Sequence, residues 1–233
     1  MDDAAIEAPG TCHLENWISA GTDGAALLNL GPACTTPALP NIELGGFLTH
    51  QWHDNAAETD GGLGLKLRLR NEERGWGLAL STAAGFSAKR SRMESASVIV
   101  PLTFPVSNAL RINVNAGWQW TRIERHSLFT GGQAEIALGP RLGLMIEGFT
   151  RSKGKAGGQG GVRWTIDHKR IDVDLLMGHM PTAQRATPSP WASRSGVKAS
   201  SYRIPPAPGI ISRRGSPRSP PSRHSCRPCR RHG

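Results

Sequence analysis

Hydrophobic and polar residues alternate along most of the chain between Leu63 and Met180. In the clearest copy, Val162, Trp164 and Ile166 alternate with polar residues, a polar turn follows at residues 167–170, and alternation resumes from Ile171. Because successive side chains of a β-strand point to opposite faces, each run predicts a strand with one apolar and one polar side. Two such runs around a tight polar turn predict a β-hairpin.

The same pattern predicts nine strands of about ten residues each. Their approximate ranges are residues 42–52, 62–70, 75–86, 95–104, 110–121, 128–138, 141–151, 159–167 and 170–179. Short connections at 71–74, 105–109, 139–140 and 167–169 alternate with longer ones at 53–60, 87–94, 122–127 and 152–158. That alternation is typical of an up-and-down barrel.

The polar side of these strands carries full charges, which an apolar protein core would not accept. A sheet that is apolar outside and charged inside is typical of a membrane barrel. We therefore predict an all-β, antiparallel up-and-down (meander) β-barrel of about 9–10 strands. The side chains expected to face its lumen are Lys66, Arg68, Arg70, Arg111, Glu135, Glu147, Arg163, Asp172 and Asp174. Trp118 and Trp120 close one apolar run and are expected to belong to an aromatic girdle at the membrane interface.

Two interpretations of the charged face remain open. The charges either form a structural network that fills a narrow interior or line a pore that selects anions on the side of Lys66 to Arg70. A soluble periplasmic β-sandwich or binding module with one wet face is the alternative to the membrane barrel.

Composition divides the chain into three parts. We expect an irregular lead over residues 1–40, the barrel over 41–180 and a disordered tail over 181–233. The whole chain has a formal net charge of +10, but residues 181–233 contain eleven Arg or Lys, no Asp or Glu, and ten of the 17 prolines. The first 180 residues are therefore nearly neutral, and the tail cannot bury a core. No run approaches the roughly 18 apolar residues of a membrane-spanning helix.

The four cysteines fall into two pairs. Cys12 and Cys34 would close a loop of a size that suits a disulfide in an oxidising compartment, although two free thiols are equally compatible with the spacing. Cys226 and Cys229 have a CxxC spacing, which is weak evidence for a metal or redox site in such a tail.

No motif for catalysis is present, so we expect no enzyme activity and no cofactor or metal. His50, His53 and Asp54 are interpreted as a solvent-facing cluster in preference to a metal site. The basic tail leaves a basic-tailed nucleic-acid-binding protein as a second alternative, but it lacks the aromatic residues of a stacking platform, and no nucleic acid is expected as partner.

Several segments carry a family resemblance. They are the hairpin from Gly131 to Phe149, the strands at 157–166 and 170–175, and the lead with Gly10 to Trp17, Cys34 and Asn41 to Gly46. Over about residues 10–180 the chain resembles porin-like proteobacterial outer-membrane β-barrels, including uncharacterised exported members. The resemblance implies a structural or passive-pore protein of the cell outer membrane, non-enzymatic, with outer-membrane lipid as its surroundings and no defined protein partner.

The chain departs from that pattern at both ends. No signal peptide is visible at Met1, and we expect that a leader is missing from this sequence. After residue 180 a closing strand with a terminal aromatic is due, but the composition changes instead. We therefore expect that residues 181–233 derive from a shifted reading frame and that the barrel as written lacks its last strand.

Overall fold

The computed structural model describes residues 1–21, 24–53, 56–123, 125–152, 156–166, 171–179 and 196–204. Within these residues, twelve antiparallel strands form one sheet, in which each strand pairs with its neighbours in sequence and the last pairs with the first. The strands are β1 Cys12–Ala20, β2 Ala26–Thr36, β3 Leu39–His53, β4 Ala56–Arg70, β5 Gly77–Ser87, β6 Arg92–Pro105, β7 Leu110–Thr121, β8 Arg125–Ala137, β9 Leu142–Arg151, β10 Gly157–Ile166, β11 Ile171–His179 and β12 Gly196–Ile204. The predicted class, an up-and-down antiparallel β-barrel, is confirmed.

All nine predicted strands are present as β3 to β11. The strand count was too low, because three further strands lie in segments predicted to be irregular or disordered. The prediction of an irregular lead over residues 1–40 is wrong, since β1, β2 and the start of β3 lie there. The expectation that the chain lacks its closing strand is also wrong, since β12 pairs with both β11 and β1 and closes the sheet. The rest of the predicted disordered tail, residues 181–195 and 205–233, lies outside the described residues.

The predicted contrast between short and long connections does not hold. The strands continue through much of the segments predicted as long loops. For example, β3 and β4 extend to residues 53 and 56, so only two residues join them. The connection between β4 and β5, which was predicted to be short, is longer than the one between β3 and β4. Its 3-10 turn Glu72–Arg74 begins at Asn71, whose side chain accepts a hydrogen bond from the Glu73 N–H, and ends at Gly75 in the left-handed region.

The barrel is inside out by the standards of a soluble protein. Asn113 and Thr103 have no exposed surface, whereas Leu63 and Met177 are 73% exposed. Leucine, valine and tryptophan side chains of nearly every strand point away from the axis, and polar ones point toward it. Burial thus follows the period-two alternation of the sequence, but the polar side chains are the buried ones and the apolar side chains are exposed, the reverse of a soluble protein.

Cys12 and Cys34 form a disulfide between β1 and β2. The two residues are direct cross-strand partners with Cα atoms 4.0 Å apart. The disulfide that the sequence left open is therefore confirmed.

Phe47 fills part of the lumen, and glycines on the adjoining strands make room for its ring. A Cβ atom at Gly62 would lie 2.3 Å from Phe47 Cζ and 2.3 Å from the backbone oxygen of Ala84. A Cβ at Gly64, on the same strand and the same face, would meet its nearest atom, the Thr82 backbone oxygen, at 3.5 Å.

We expect Gly62→Ala to lower the free energy of unfolding by about 1–3 kcal/mol, the usual cost of overpacking. Gly64→Ala is the matched control, because it causes the same change in chain entropy without the clash. Urea unfolding of the detergent-folded protein measures both. Equal destabilisation by the two variants would contradict the packing of Phe47 against Gly62.

Candidate functional site

The lumen wall contains a hydrogen-bonded ladder of polar side chains across β6, β7 and β8. Thr103 Oγ1 donates to Asn113 Oδ1 at 2.8 Å, and Asn113 Nδ2 donates to Gln133 Oε1 at 3.1 Å and to Glu135 Oε1 at 2.9 Å. Strand register brings these residues together, since Asn113 is the cross-strand partner of both Thr103 and Gln133. Buried polar groups need such partners, so the ladder stabilises a wall that has no apolar core behind it.

A second network is built around Arg163. Its Nε and Nη2 atoms donate to the two carboxylate oxygens of Asp174 at 2.7 and 2.8 Å, and Nη1 lies 3.9 Å from Glu135. Thr165 donates to Asp172 at 2.7 Å on the same pair of strands. The bidentate geometry is the strong form of a guanidinium–carboxylate contact. The wall therefore neutralises this arginine with its own acidic residues.

Lys66 and Arg111 lie elsewhere on the wall and bind carboxylates that do not belong to any strand. Lys66 Nζ donates to Asp2 Oδ1 at 2.8 Å and to Asp3 Oδ1 at 3.1 Å. Arg111 donates to Asp3 Oδ2 at 3.2 Å and to Glu72 Oε2 at 2.8 Å. Their charges are balanced mainly by residues from the start of the chain.

Residues 1–7, here named the N-terminal segment, lie inside the lumen. The Ala4 N–H donates to Thr103 Oγ1 at 2.8 Å, the Glu7 N–H donates to Glu43 Oε2 at 2.9 Å, and Asn115 donates to the Asp2 carbonyl at 2.7 Å. The Met1 amino group lies 2.6 Å from Glu147 Oε2. The segment thus crosses the lumen from β3 to β9, at the end of the barrel where β3 begins and β4 ends. No pattern in the sequence predicted this placement.

Asp3 stays charged in this position. Partial burial disfavours its carboxylate, but Lys66 and Arg111 outweigh that effect and hold the pKa of Asp3 below its usual value. The ion pairs of Asp3 with Lys66 and Arg111 are therefore intact at neutral pH and weaken only in acid.

Arg70 does not lie with the other predicted lumen residues. A register shift between Arg68 and Arg70 pairs Arg70 with Leu78, which belongs to the outward set. Its guanidinium stacks 4.3 Å above the Trp76 ring and donates to the Trp76 and Arg74 carbonyls at the rim. Arg68 remains on the inner face near the rim, bound to the Pro40 carbonyl and Asn41.

A cavity of about 480 Å³ remains beside the N-terminal segment. Carboxylates outnumber cations in its lining, which includes Glu7, Glu15, Glu43, Asp172 and Lys66. His13 lies 3.6 Å from Glu7 and 3.9 Å from Glu43. The described lumen is thus polar and water-sized spaces persist in it.

Trp118 and Trp120 point outward near the end of β7, and the Trp118 ring lies 5.5 Å from the His126 ring. Trp52 and Phe86 also point outward, near the ends of β3 and β5. Odd-numbered strands run in the same direction, so these aromatic residues share one end of the barrel. Trp76, Phe104 and Trp164 occupy the outer surface at the opposite end.

The described residues show no group of three or more His, Cys, Asp or Glu side chains arranged to hold a metal ion. His50 points outward, hydrogen-bonds to Thr59 Oγ1 at 2.7 Å and packs edge-on against Trp52. The His53 side chain, Asp54 and the Cys226–Cys229 pair lie outside the described part of the structure. No helix in that part is long and apolar enough to cross a membrane.

The closed meander and its charged interior define a porin-like β-barrel. The chain belongs to the family described as uncharacterised conserved protein UCP029691, whose model matches residues 1–192. The structure is similar to that of the NanC porin, with 8% sequence identity and a TM-score of 0.57 over 82% of this chain and 96% of that one. At that identity the likeness shows the fold alone.

Two further solved structures are more distant. A mutant Rh. blastica porin is 8% identical, with a TM-score of 0.36 over 83% of this chain and 99% of that one. CdiB from Acinetobacter baumannii is 12% identical, with a TM-score of 0.40 over 75% of this chain and 39% of that one. No curated protein matches the sequence.

The Arg163–Asp174 pair gives a prediction for the lumen network. Arg163→Met should cost about 1–3 kcal/mol of unfolding free energy, because it leaves the buried Asp174 carboxylate without its partner. Adding Asp174→Leu should recover most of that loss, since both polar groups are then removed. Urea unfolding of the two single variants and the double variant measures the coupling. If the double variant loses as much unfolding free energy as the two single variants together, the two residues are not coupled and the paired network is contradicted.

Proposed function

We propose that this protein is a non-enzymatic pore of the outer membrane, with the lumen as its solute path. The observation that carries the proposal is the outer surface. Among the described residues of β1 to β11, the outward positions hold no Asp, Glu or Lys, and the one arginine, Arg70, lies at the rim. A hydrocarbon surrounding accepts such a surface, whereas water would not favour it.

The spacing of the outward aromatic residues supports a membrane setting. Phe104 pairs with Ile112, and Trp120 lies eight residues further along β7. Eight residues span ~27 Å of strand at ~3.3–3.4 Å each, or about 20 Å along the axis at a tilt near 40°. This approaches the apolar band of about 25 Å between the aromatic girdles of known barrels. We therefore assign Trp118 and Trp120 to one girdle.

The width of the barrel supports a solute path. Eight strands leave an interior just wide enough for side chains, and diameter grows with strand number. Twelve strands therefore leave space, some of which the N-terminal segment occupies. The inner face is charged and hydrogen-bonded, as a path for polar solutes requires.

Refolding into lipid vesicles tests the membrane assignment. We expect the protein to require detergent or lipid for solubility and to migrate faster on gels before heating than after it. A protein that remains soluble and monomeric without detergent would overturn the assignment. Pore function is then tested by ion conductance in planar bilayers, with a variant that frees the lumen included. If neither the native chain nor that variant conducts ions, the proposed pore function is overturned.

A further inference from the structure

The N-terminal segment is attached to the wall in a way that permits release. The polar contacts of residues 1–7 with the wall are ion pairs and hydrogen bonds to side chains of the wall, and these residues form no strand of their own. Its described buried apolar side chains are small in number, namely Ala4, which a Cβ at Gly77 would meet at 3.0 Å, and Met1, whose Cε lies against Gly131. A segment that buries little apolar surface opens at low free-energy cost compared with the sheet around it.

Lys66 differs from Arg163 in what balances its charge. Arg163 is bound by Asp174 and Glu135 of the wall, and those partners remain if the N-terminal segment leaves. Among the described residues, the carboxylates within salt-bridge distance of Lys66 are those of Asp2 and Asp3. With the segment in place the Lys66 side chain is only 12% exposed, and release would leave its ammonium group in the lumen without the two carboxylates that now bind it. Such a group favours a replacement anion.

Arg111 completes the arrangement. It binds Asp3 Oδ2 while Lys66 binds Asp3 Oδ1, so the two cations share both oxygens of one carboxylate. Glu72 holds the same Nη2 atom of Arg111 from the turn side and thereby orients it. The site therefore fits a carboxylate group with a second acid close to it, as in the adjacent Asp2 and Asp3.

We propose that Lys66 and Arg111 form a binding site for small organic dicarboxylates, which the N-terminal segment occupies with Asp2 and Asp3 until such an anion displaces it. The site rests on the proposed pore function, since displacement opens the path through the lumen. Because the segment and the anion compete for the same two cations, a change that weakens binding of the segment must raise the apparent affinity of the site for the anion.

Conductance in planar bilayers tests this with the full chain and with succinate as the probe. The native protein should conduct little in chloride, and succinate at equal ionic strength should increase its conductance. Asp2→Asn with Asp3→Asn should conduct at least about tenfold more than the native chain without succinate, because charge-assisted hydrogen bonds that hold the segment are lost. Glu73→Gln is the matched control, since this turn carboxylate contacts Asn71 and not the segment.

Lys66→Gln separates the site from a general effect of the anion. It should conduct without succinate and should no longer respond to it. Heat-modifiable migration confirms that each variant is folded. Equal conductance of the native chain and the Asp2, Asp3 double variant would overturn the proposal while leaving a conducting barrel in place. An unchanged succinate response in Lys66→Gln would also overturn it, whereas silence of every folded variant would instead overturn pore function.

Discussion

Closure of the sheet is the constraint on which the rest of the structure depends. A hydrocarbon surrounding offers no partner for an unpaired N–H or carbonyl group, so a sheet that crosses it can have no free edge. The pairing of β12 with β1 removes that edge, with Cys12 opposite Ile204 at one end and Ser19 opposite Gly196 at the other. Closure also fixes an inside and an outside, and thereby gives every alternating strand its two environments.

Polar groups that face the lumen need hydrogen-bond or ion-pair partners there. The chain supplies such partners in three ways. Cross-strand register builds the ladder from Thr103 to Glu135, a bidentate ion pair neutralises Arg163, and the N-terminal segment supplies carboxylates to Lys66 and Arg111. Only the third depends on a segment outside the sheet, which is why it is the part of the lumen that can change.

The sequence predicted the features that depend on local alternation and missed those that depend on pairing. In β7 the apolar and polar sets separate cleanly from Leu110 to Trp120, so its bounds and facing were predictable. In β1, Asn16 and Trp17 lie on the faces opposite to those that their polarity suggests, and in β2 the pair Gly31-Pro32 reads as a break. Pro32 nevertheless remains in β2, where pairing with β3 is interrupted at residues 31 and 32 and resumes in the same register.

Two other differences have similar causes. Arg70 leaves the predicted lumen set because a register shift next to it changes its face, and alternation alone cannot reveal a bulge. The contacts of Asp2 and Asp3 with Lys66 join residues more than sixty positions apart, so no local pattern could indicate them. The sequence carried one signal of charge, namely the adjacent acids Asp2 and Asp3, because the predicted lumen set holds five cations against four carboxylates.

The most direct test of an inside-out barrel is a nitroxide scan of β9 in lipid vesicles, one spin label at a time from Leu142 to Arg151. Collision with oxygen, which concentrates in lipid, should be high at Leu144 and Ile146 and low at Met145 and Glu147. Collision with a water-soluble nickel complex should not be more frequent at Leu144 and Ile146 than at Met145 and Glu147. Oxygen accessibility that is uniform along the strand, or that is highest at Met145 and Glu147, would contradict the structure's assignment of inner and outer faces.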